Sequence, residues 1–65
     1  MVDQSCVDAC MAAYGSCVGT CNKVLMDCLA TSLSEEEREQ CKERFKKCME
    51  LCKEARQACL ETCND

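Results

Sequence analysis

The sequence predicts an all-α fold, an antiparallel two-helix hairpin stapled by a ladder of interhelical disulfides. Three observations predict it: ten of the 65 residues are cysteine, the chain has no proline and two glycines, and the cysteine spacing of the second half mirrors that of the first. A domain this small buries too little apolar surface to be stable without cross-links. One tyrosine, one phenylalanine and no tryptophan make its core thinner still. We therefore expect residues 1–65 to form a single disulfide-rich domain.

The helix boundaries follow from capping signals and helix propensity. We predict a first helix over about residues 4–30, a turn over 31–34 and a second helix over about residues 35–63. Ser34 followed by Glu37 is a capping box, and three glutamates in the first turn favour the positive end of the helix dipole. Gly15 and Gly19 lower the helix propensity of the first segment, so that helix depends more on support from elsewhere.

The cysteine spacing selects one pattern of disulfides. The steps are four and seven residues in the first half, and seven and four in the second. At about 100° per residue, the five cysteines of each helix fall within a stripe roughly 60° wide. Both helices rise equally per residue, so cysteines at equal distances from the turn face one another across an antiparallel hairpin. The predicted disulfides are the pairs whose residue numbers add up to 69: Cys6–Cys63, Cys10–Cys59, Cys17–Cys52, Cys21–Cys48 and Cys28–Cys41.

The same cysteines allow an alternative function when they are reduced. Each Cys-x-x-x-Cys element places two thiolates one helical turn apart, which suits soft Cu(I). The alternative is therefore a Cu(I)-thiolate storage protein that assembles as a dimeric four-helix bundle. Mirrored spacing favours the disulfide ladder, because thiolate ligands have no need of it. We expect no cofactor, and no metal in the oxidised chain. The Cu(I) ligands of the alternative would be Cys6, Cys10, Cys17, Cys21, Cys48, Cys52, Cys59 and Cys63.

The spacing also resembles that of known helical hairpins. Nested pairing of Cys-x-x-x-Cys elements across two helices resembles the small Tim chaperones of the mitochondrial intermembrane space and the plant α-hairpinins. The longer unit Cys-x3-Cys-x6-Cys, present at Cys6, Cys10 and Cys17, is similar to that of the disulfide-bridged hairpin neurotoxins of nemertean worms. The resemblance covers both helices, rests on cysteine spacing alone, and implies a helical hairpin in an oxidising compartment. The acidic balance of this chain departs from the basic character of those toxins, and no functional side chain is carried over.

Composition argues against several classes of function. The chain has no histidine, so it lacks the usual general base and we expect no enzymatic activity. A net charge of −4 argues against nucleic acid as a partner, and no apolar run approaches the length of a membrane span. We expect no signal peptide in this chain, since polar residues follow soon after Met1. The cysteines favour an oxidising compartment, with secretion to the extracellular space as the expected location.

An apolar band lies beside the predicted row of cysteines on each helix. Antiparallel helices reverse the sense of rotation, so the two bands share one side of the hairpin and form a broad face with a basic edge. Such a face either thickens a thin core or binds a partner, which would be a second copy or a different protein. The candidate binding face comprises Val7, Met11, Tyr14, Val18, Leu25, Leu29, Phe45, Met49 and Leu60, with Lys42, Lys46, Lys53 and Arg56 as its basic members.

These observations favour a non-enzymatic hairpin that presents a rigid surface for protein binding, as a secreted toxin-like or signalling module. A designed scaffold without natural function is a further alternative, because the even second helix, rich in Glu, Lys and Arg, also suits an idealised sequence.

Overall fold

The structure, a computed structural model, describes residues 3–63. Its two helices are α1, Gln4–Thr31, and α2, Glu35–Thr62, joined by a turn of three residues. The helices are antiparallel and are linked by five disulfides. The predicted fold class is confirmed. Residues 1, 2, 64 and 65 of the predicted domain lie outside the described part of the chain.

The hairpin is an elongated rod, one layer thick. Its principal extents are 51, 14 and 8 Å, and its radius of gyration is 15.1 Å. A compact globular chain of this length would have a radius of gyration of about 11 Å. A shape with so little interior cannot rely on buried apolar area, which explains why the helices are cross-linked along their whole length.

The disulfides form a regular ladder. The pairs in the structure are Cys6–Cys63, Cys10–Cys59, Cys17–Cys52, Cys21–Cys48 and Cys28–Cys41. Every rung joins Cα atoms 5.6 to 5.7 Å apart, within the usual range for a disulfide. Constant separation along five rungs means that the helix axes neither converge nor diverge over the length of the rod.

An eleven-residue repeat keeps the ladder straight. One step of four and one of seven add up to eleven residues, which complete about three helical turns. This repeat differs little from the natural period of an α-helix, so the row of cysteines runs nearly parallel to each helix axis. Neither helix has to supercoil strongly for all five rungs to form.

The ends of α1 are capped by local side chains. The Asp3 carboxylate accepts a hydrogen bond from the Ser5 N–H at 3.0 Å. At the other end the helix includes Thr31, one residue beyond the predicted boundary. The Thr31 hydroxyl donates to the carbonyls of Asp27 and Cys28, at 3.2 and 3.1 Å, which gives the last turn partners that it would otherwise lack.

One of the two hydrogen bonds of the predicted capping box forms at the start of α2. The Ser34 hydroxyl accepts a hydrogen bond from the Glu37 N–H at 3.2 Å. The Glu37 carboxylate, however, accepts from the N–H of Leu33 at 2.8 Å, one residue before the Ser34 N–H that a standard box would use. Glu37 therefore ties the turn, and not only the cap residue, to the first turn of α2.

The first and last described residues, Asp3 and Cys63, meet at the open end of the hairpin. Helix α2 ends at Thr62, and Cys63, predicted as its last residue, is the cap instead. The Cys63 N–H donates to the carbonyl of Leu60 at 3.1 Å, and its carbonyl accepts from the Asp3 N–H at 3.4 Å. A backbone hydrogen bond between the two chain segments therefore lies beside the Cys6–Cys63 rung.

We predict that replacing Gly15 or Gly19 with alanine stabilises the folded protein. Both lie inside α1 without positive φ angles, and at either position an added Cβ would meet no atom within 4 Å beyond the adjacent backbone of the helix itself. Gly15→Ala and Gly19→Ala should each raise the free energy of unfolding by about 0.5–1 kcal/mol, because glycine loses more chain entropy in a helix. Guanidinium unfolding of the oxidised protein, followed by circular dichroism, measures this change. Ala12→Gly, also exposed in α1, is the matched control and should lower the same quantity; a loss of stability in the alanine variants would contradict the account.

Ser34 is predicted to contribute through its hydroxyl alone. Ser34→Ala should lower the free energy of unfolding by about 1 kcal/mol, since the Glu37 N–H loses its acceptor. Ser34→Asp keeps an acceptor at the same place and should retain most of the stability. The same unfolding measurement distinguishes the two variants. Equal losses for both substitutions would show that the hydroxyl is not what caps α2.

Candidate functional site

The described core consists of sulfur. The five buried residues of the described chain are all cysteines, each exposed by 4% or less. Each rung contains one of them, paired with a cysteine that is only half-buried. The buried members, which alternate between the helices from rung to rung, are Cys10, Cys21, Cys41, Cys52 and Cys63.

Four of the rungs are arranged in two close groups. Rungs four residues apart form an outer double rung, Cys6–Cys63 with Cys10–Cys59, and a central double rung, Cys17–Cys52 with Cys21–Cys48. Within each group the buried sulfurs touch. The Sγ atoms of Cys10 and Cys63 are 3.7 Å apart, and those of Cys21 and Cys52 are 3.5 Å apart. Each double rung therefore has two buried sulfurs in contact at its centre and two half-buried sulfurs outside them.

The inner rung, Cys28–Cys41, has a different environment. It is seven residues from the central double rung along either helix, about 10 Å of helix axis, so no other rung adjoins it. Its neighbour is Ser32, whose hydroxyl donates to the Cys28 carbonyl at 2.7 Å and lies 3.3 Å from the Cys41 sulfur. This rung closes the turn, and the hydroxyl of Ser32 takes the place that a second disulfide has elsewhere.

Six of the eight candidate metal ligands form two close clusters, one in each double rung, and Cys48 and Cys59 lie outside these clusters. The sulfurs of Cys6, Cys10 and Cys63 lie within 4.8 Å of one another, as do those of Cys17, Cys21 and Cys52. In the structure each of these sulfurs belongs to a disulfide, which is not the thiolate that a soft metal requires. A copper site at either group would first need two disulfides to be reduced.

Most apolar members of the predicted band are partly covered in the structure. Eight of its nine apolar members are half-buried, and Met11 is the exception at 46% exposed. The basic residues Lys42, Lys46 and Lys53 are exposed beside them. Half-burial next to the disulfides means that part of each apolar side chain thickens the core while the remainder faces solvent.

Arg56, predicted as a basic member of the candidate binding face, also contacts the other helix. Its guanidinium carbon lies 4.3 Å from the centre of the Tyr14 ring, so a cation–π contact joins α2 to α1 across the half-buried side. Beneath this pair is a crevice of about 60 Å³, lined by Cys10, Ala13, Tyr14, Cys52, Ala55, Arg56 and Cys59. The crevice occupies the seven-residue gap between the two double rungs, where alanines leave the space unfilled.

Several exposed apolar side chains were not predicted as part of any surface. Val24 is 52% exposed and Leu51 is 64% exposed, and at about 100° per residue both project away from the band. Leu33 in the turn and Met26 on α1 are also exposed. The helical periodicity that defines the band does not include apolar residues that occur singly on other faces. The exposure of these four residues therefore had no signal in the sequence beyond their hydrophobicity.

Comparisons with protein-family models, curated proteins and solved structures found no match to this chain. The cysteine-spacing resemblance to small helical hairpins fits the structure, which has the interhelical disulfides that the resemblance implies. Within residues 3–63, neither helix is both long and apolar enough to cross a lipid bilayer.

We predict that the oxidised protein binds no copper. A competition assay against a chromogenic Cu(I) chelator, performed without reductant, should leave all of the copper on the chelator, because no thiolate is available. The same assay after anaerobic reduction of all ten cysteines is the matched control for thiolate binding. Stoichiometric Cu(I) retained by the oxidised chain would contradict the assignment of the sulfurs to disulfides.

Proposed function

We propose that this protein is a non-enzymatic binding module, a rigid hairpin that presents its apolar band to a protein partner. The observation that carries the proposal is the position of the band. Helical periodicity assigns these half-exposed apolar side chains to one side of a rod whose shortest extent is 8 Å, and the described chain has no third element over them. Contiguous apolar surface of this kind usually marks a site of association.

Rigidity supports the proposal. Five rungs fix the relative position of the two helices, so the band does not have to be ordered when a partner binds. Binding by a preorganised surface avoids much of the entropic cost of association. The disulfide ladder therefore holds the binding surface in a fixed shape as well as stabilising the fold.

The charge at the edge of the band indicates the chemistry of the partner. Lys42, Lys46 and Lys53 are exposed along the α2 side of the band in a chain whose net charge is −4. A partner with an apolar strip bordered by Asp or Glu would complement this edge. Face-to-face self-association with α2 over α2 would bring two lysine edges close together, so we favour a different protein over a second copy.

The shape of the molecule argues for binding and against catalysis. The crevice between the helices, about 60 Å³, is far smaller than the 300 Å³ or so at which ligand pockets begin. Larger hollows of about 360 and 440 Å³ lie on the outside of α2, among exposed charged and polar side chains of that one helix. The glutamates and lysines that line these hollows are all exposed to solvent, and the sequence has no histidine to serve as a general base near neutral pH.

The disulfides indicate an oxidising environment, and we propose that the protein acts outside the cell, as a toxin-like or signalling module. Small secreted domains are the class in which such a density of disulfides is usual.

Paired substitutions on the two sides of the hairpin test this function. In the face variant, Val18→Glu with Met49→Glu places two charges on the half-buried side; in the control variant, Val24→Glu with Leu51→Glu places two on the other side. Each immobilised protein is used to capture partners, and a captured protein is purified for direct titration. We expect the face variant to lose at least tenfold in affinity and the control variant to bind like the wild type, since charge disrupts only the buried contact.

Sedimentation equilibrium of the same three proteins provides the second readout. The proposal expects a monomer in every case. A wild-type dimer that dissociates in the face variant would assign the band to self-association instead, and equal partner affinities in the two variants would show that the band is not the binding surface.

A further inference from the structure

The two double rungs have a property that the isolated inner rung lacks. In each, a buried sulfur of one disulfide touches a buried sulfur of the next, with Cys10 Sγ at 3.7 Å from Cys63 Sγ and Cys21 Sγ at 3.5 Å from Cys52 Sγ. Disulfides exchange when a thiolate attacks a neighbouring disulfide sulfur. A thiolate released at any of these buried positions would already be in contact with the sulfur it could attack.

We propose that each double rung is an exchange site for external thiols, at which opening one disulfide transfers the remaining bond to the buried diagonal pair, Cys10–Cys63 or Cys21–Cys52. This exchange requires one sulfur of each disulfide to be open to an external thiol and the other to touch the neighbouring disulfide. The half-buried cysteines are the residues that retain contact with solvent and so offer an external thiol its approach, and the buried cysteines are the ones whose sulfurs touch.

The steps at the outer double rung balance as follows. An external thiolate attacks Cys6 Sγ, a mixed disulfide forms there, and the Cys6–Cys63 bond breaks to release a thiolate on Cys63. That thiolate attacks Cys10 Sγ, the Cys10–Cys63 bond forms, and the Cys10–Cys59 bond breaks to leave a thiolate on Cys59, which takes up a proton. A second external thiol resolves the mixed disulfide at Cys6. Two external thiols are oxidised to a disulfide, and one disulfide of the protein is reduced.

Entry from either side of the double rung gives the same product. Attack on the half-buried Cys59 releases a thiolate on Cys10, which attacks Cys63 Sγ and expels Cys6. Both routes end with the diagonal Cys10–Cys63 disulfide and with thiols on Cys6 and Cys59, the two accessible positions. In the central double rung the corresponding product has a Cys21–Cys52 disulfide and thiols on Cys17 and Cys48. A two-electron reduction thus replaces the two native disulfides of a double rung with one new disulfide between the buried sulfurs, and leaves both thiols at the half-buried positions.

The inner rung is the control within the same chain. Once opened, a thiolate on Cys41 faces the Ser32 hydroxyl at 3.3 Å, and a hydroxyl cannot exchange with a thiolate. Its reduction should release Cys28 and Cys41 together and go no further.

Limited reduction with a phosphine in acid, followed by a shift to mildly alkaline pH, tests the proposal. A phosphine opens disulfides in acid, where thiols remain protonated and exchange is suppressed. The species that have lost one disulfide are separated, held at the higher pH for increasing times, alkylated in acid and mapped. We expect the free thiols of the outer double rung to shift from Cys6 with Cys63 to Cys6 with Cys59, and a Cys10–Cys63 bridge to appear. The corresponding shift should occur in the central double rung, while the inner rung shows none.

A variant with Cys10→Ser and Cys59→Ser separates internal exchange from other causes. It retains the Cys6–Cys63 rung without a neighbour, so its free thiols should remain on Cys6 and Cys63 at every time. Free thiols that stay in native pairs in the wild-type protein would overturn the proposal. So would a principal product that links Cys6 to Cys10, or that redistributes bonds to the inner rung.

Discussion

The structure depends on one constraint, the register of two antiparallel helices in which every cysteine faces another cysteine. Equal rise per residue keeps cysteines at equal distances from the turn opposite one another, and the Cα separations of 5.6 to 5.7 Å show how little they vary. The register also decides what can be buried. In a rod this thin the side chains between the helices are the core, and those side chains are sulfurs. Cross-linking reduces the entropy of the unfolded chain, which offsets the small apolar area that such a core removes from water.

The fold could be predicted from the sequence because its determinants are periodic or local. Mirrored cysteine steps define the pairing, and the Ser34 hydroxyl caps α2 by accepting a hydrogen bond from a residue three positions later in the sequence. Details that depend on three-dimensional packing could not be predicted. The alternation of buried and half-buried cysteines depends on how the two helices pack around each rung, and the Glu37 carboxylate reaches Leu33 because of the path of the turn.

The candidate binding face was predictable only as a set of positions. Periodicity places its apolar residues on one side of the hairpin, but the degree of burial depends on how closely two helices approach, which sequence alone does not give. Arg56 illustrates the difference, since it counts as an edge charge in the sequence and lies over the Tyr14 ring in the structure. Its guanidinium thereby stabilises the layer above the gap between the double rungs, with a contribution of about 0.5–1 kcal/mol at a site of this exposure.

Disulfide connectivity in the native oxidised protein tests the central claim most directly. Cyanogen bromide in acid followed by trypsin at mildly acidic pH, without reductant, cleaves between most of the cysteines. The ladder predicts three separate covalent groups in the mass spectrum: residues 2–11 with 57–65, residues 12–23 with 48–49 and 50–53, and residues 27–38 with 39–42. Release of 2–11 or 12–23 as a single peptide with an internal disulfide would mean that cysteines bond within a helix. The mirrored register would then not be what holds the two helices together.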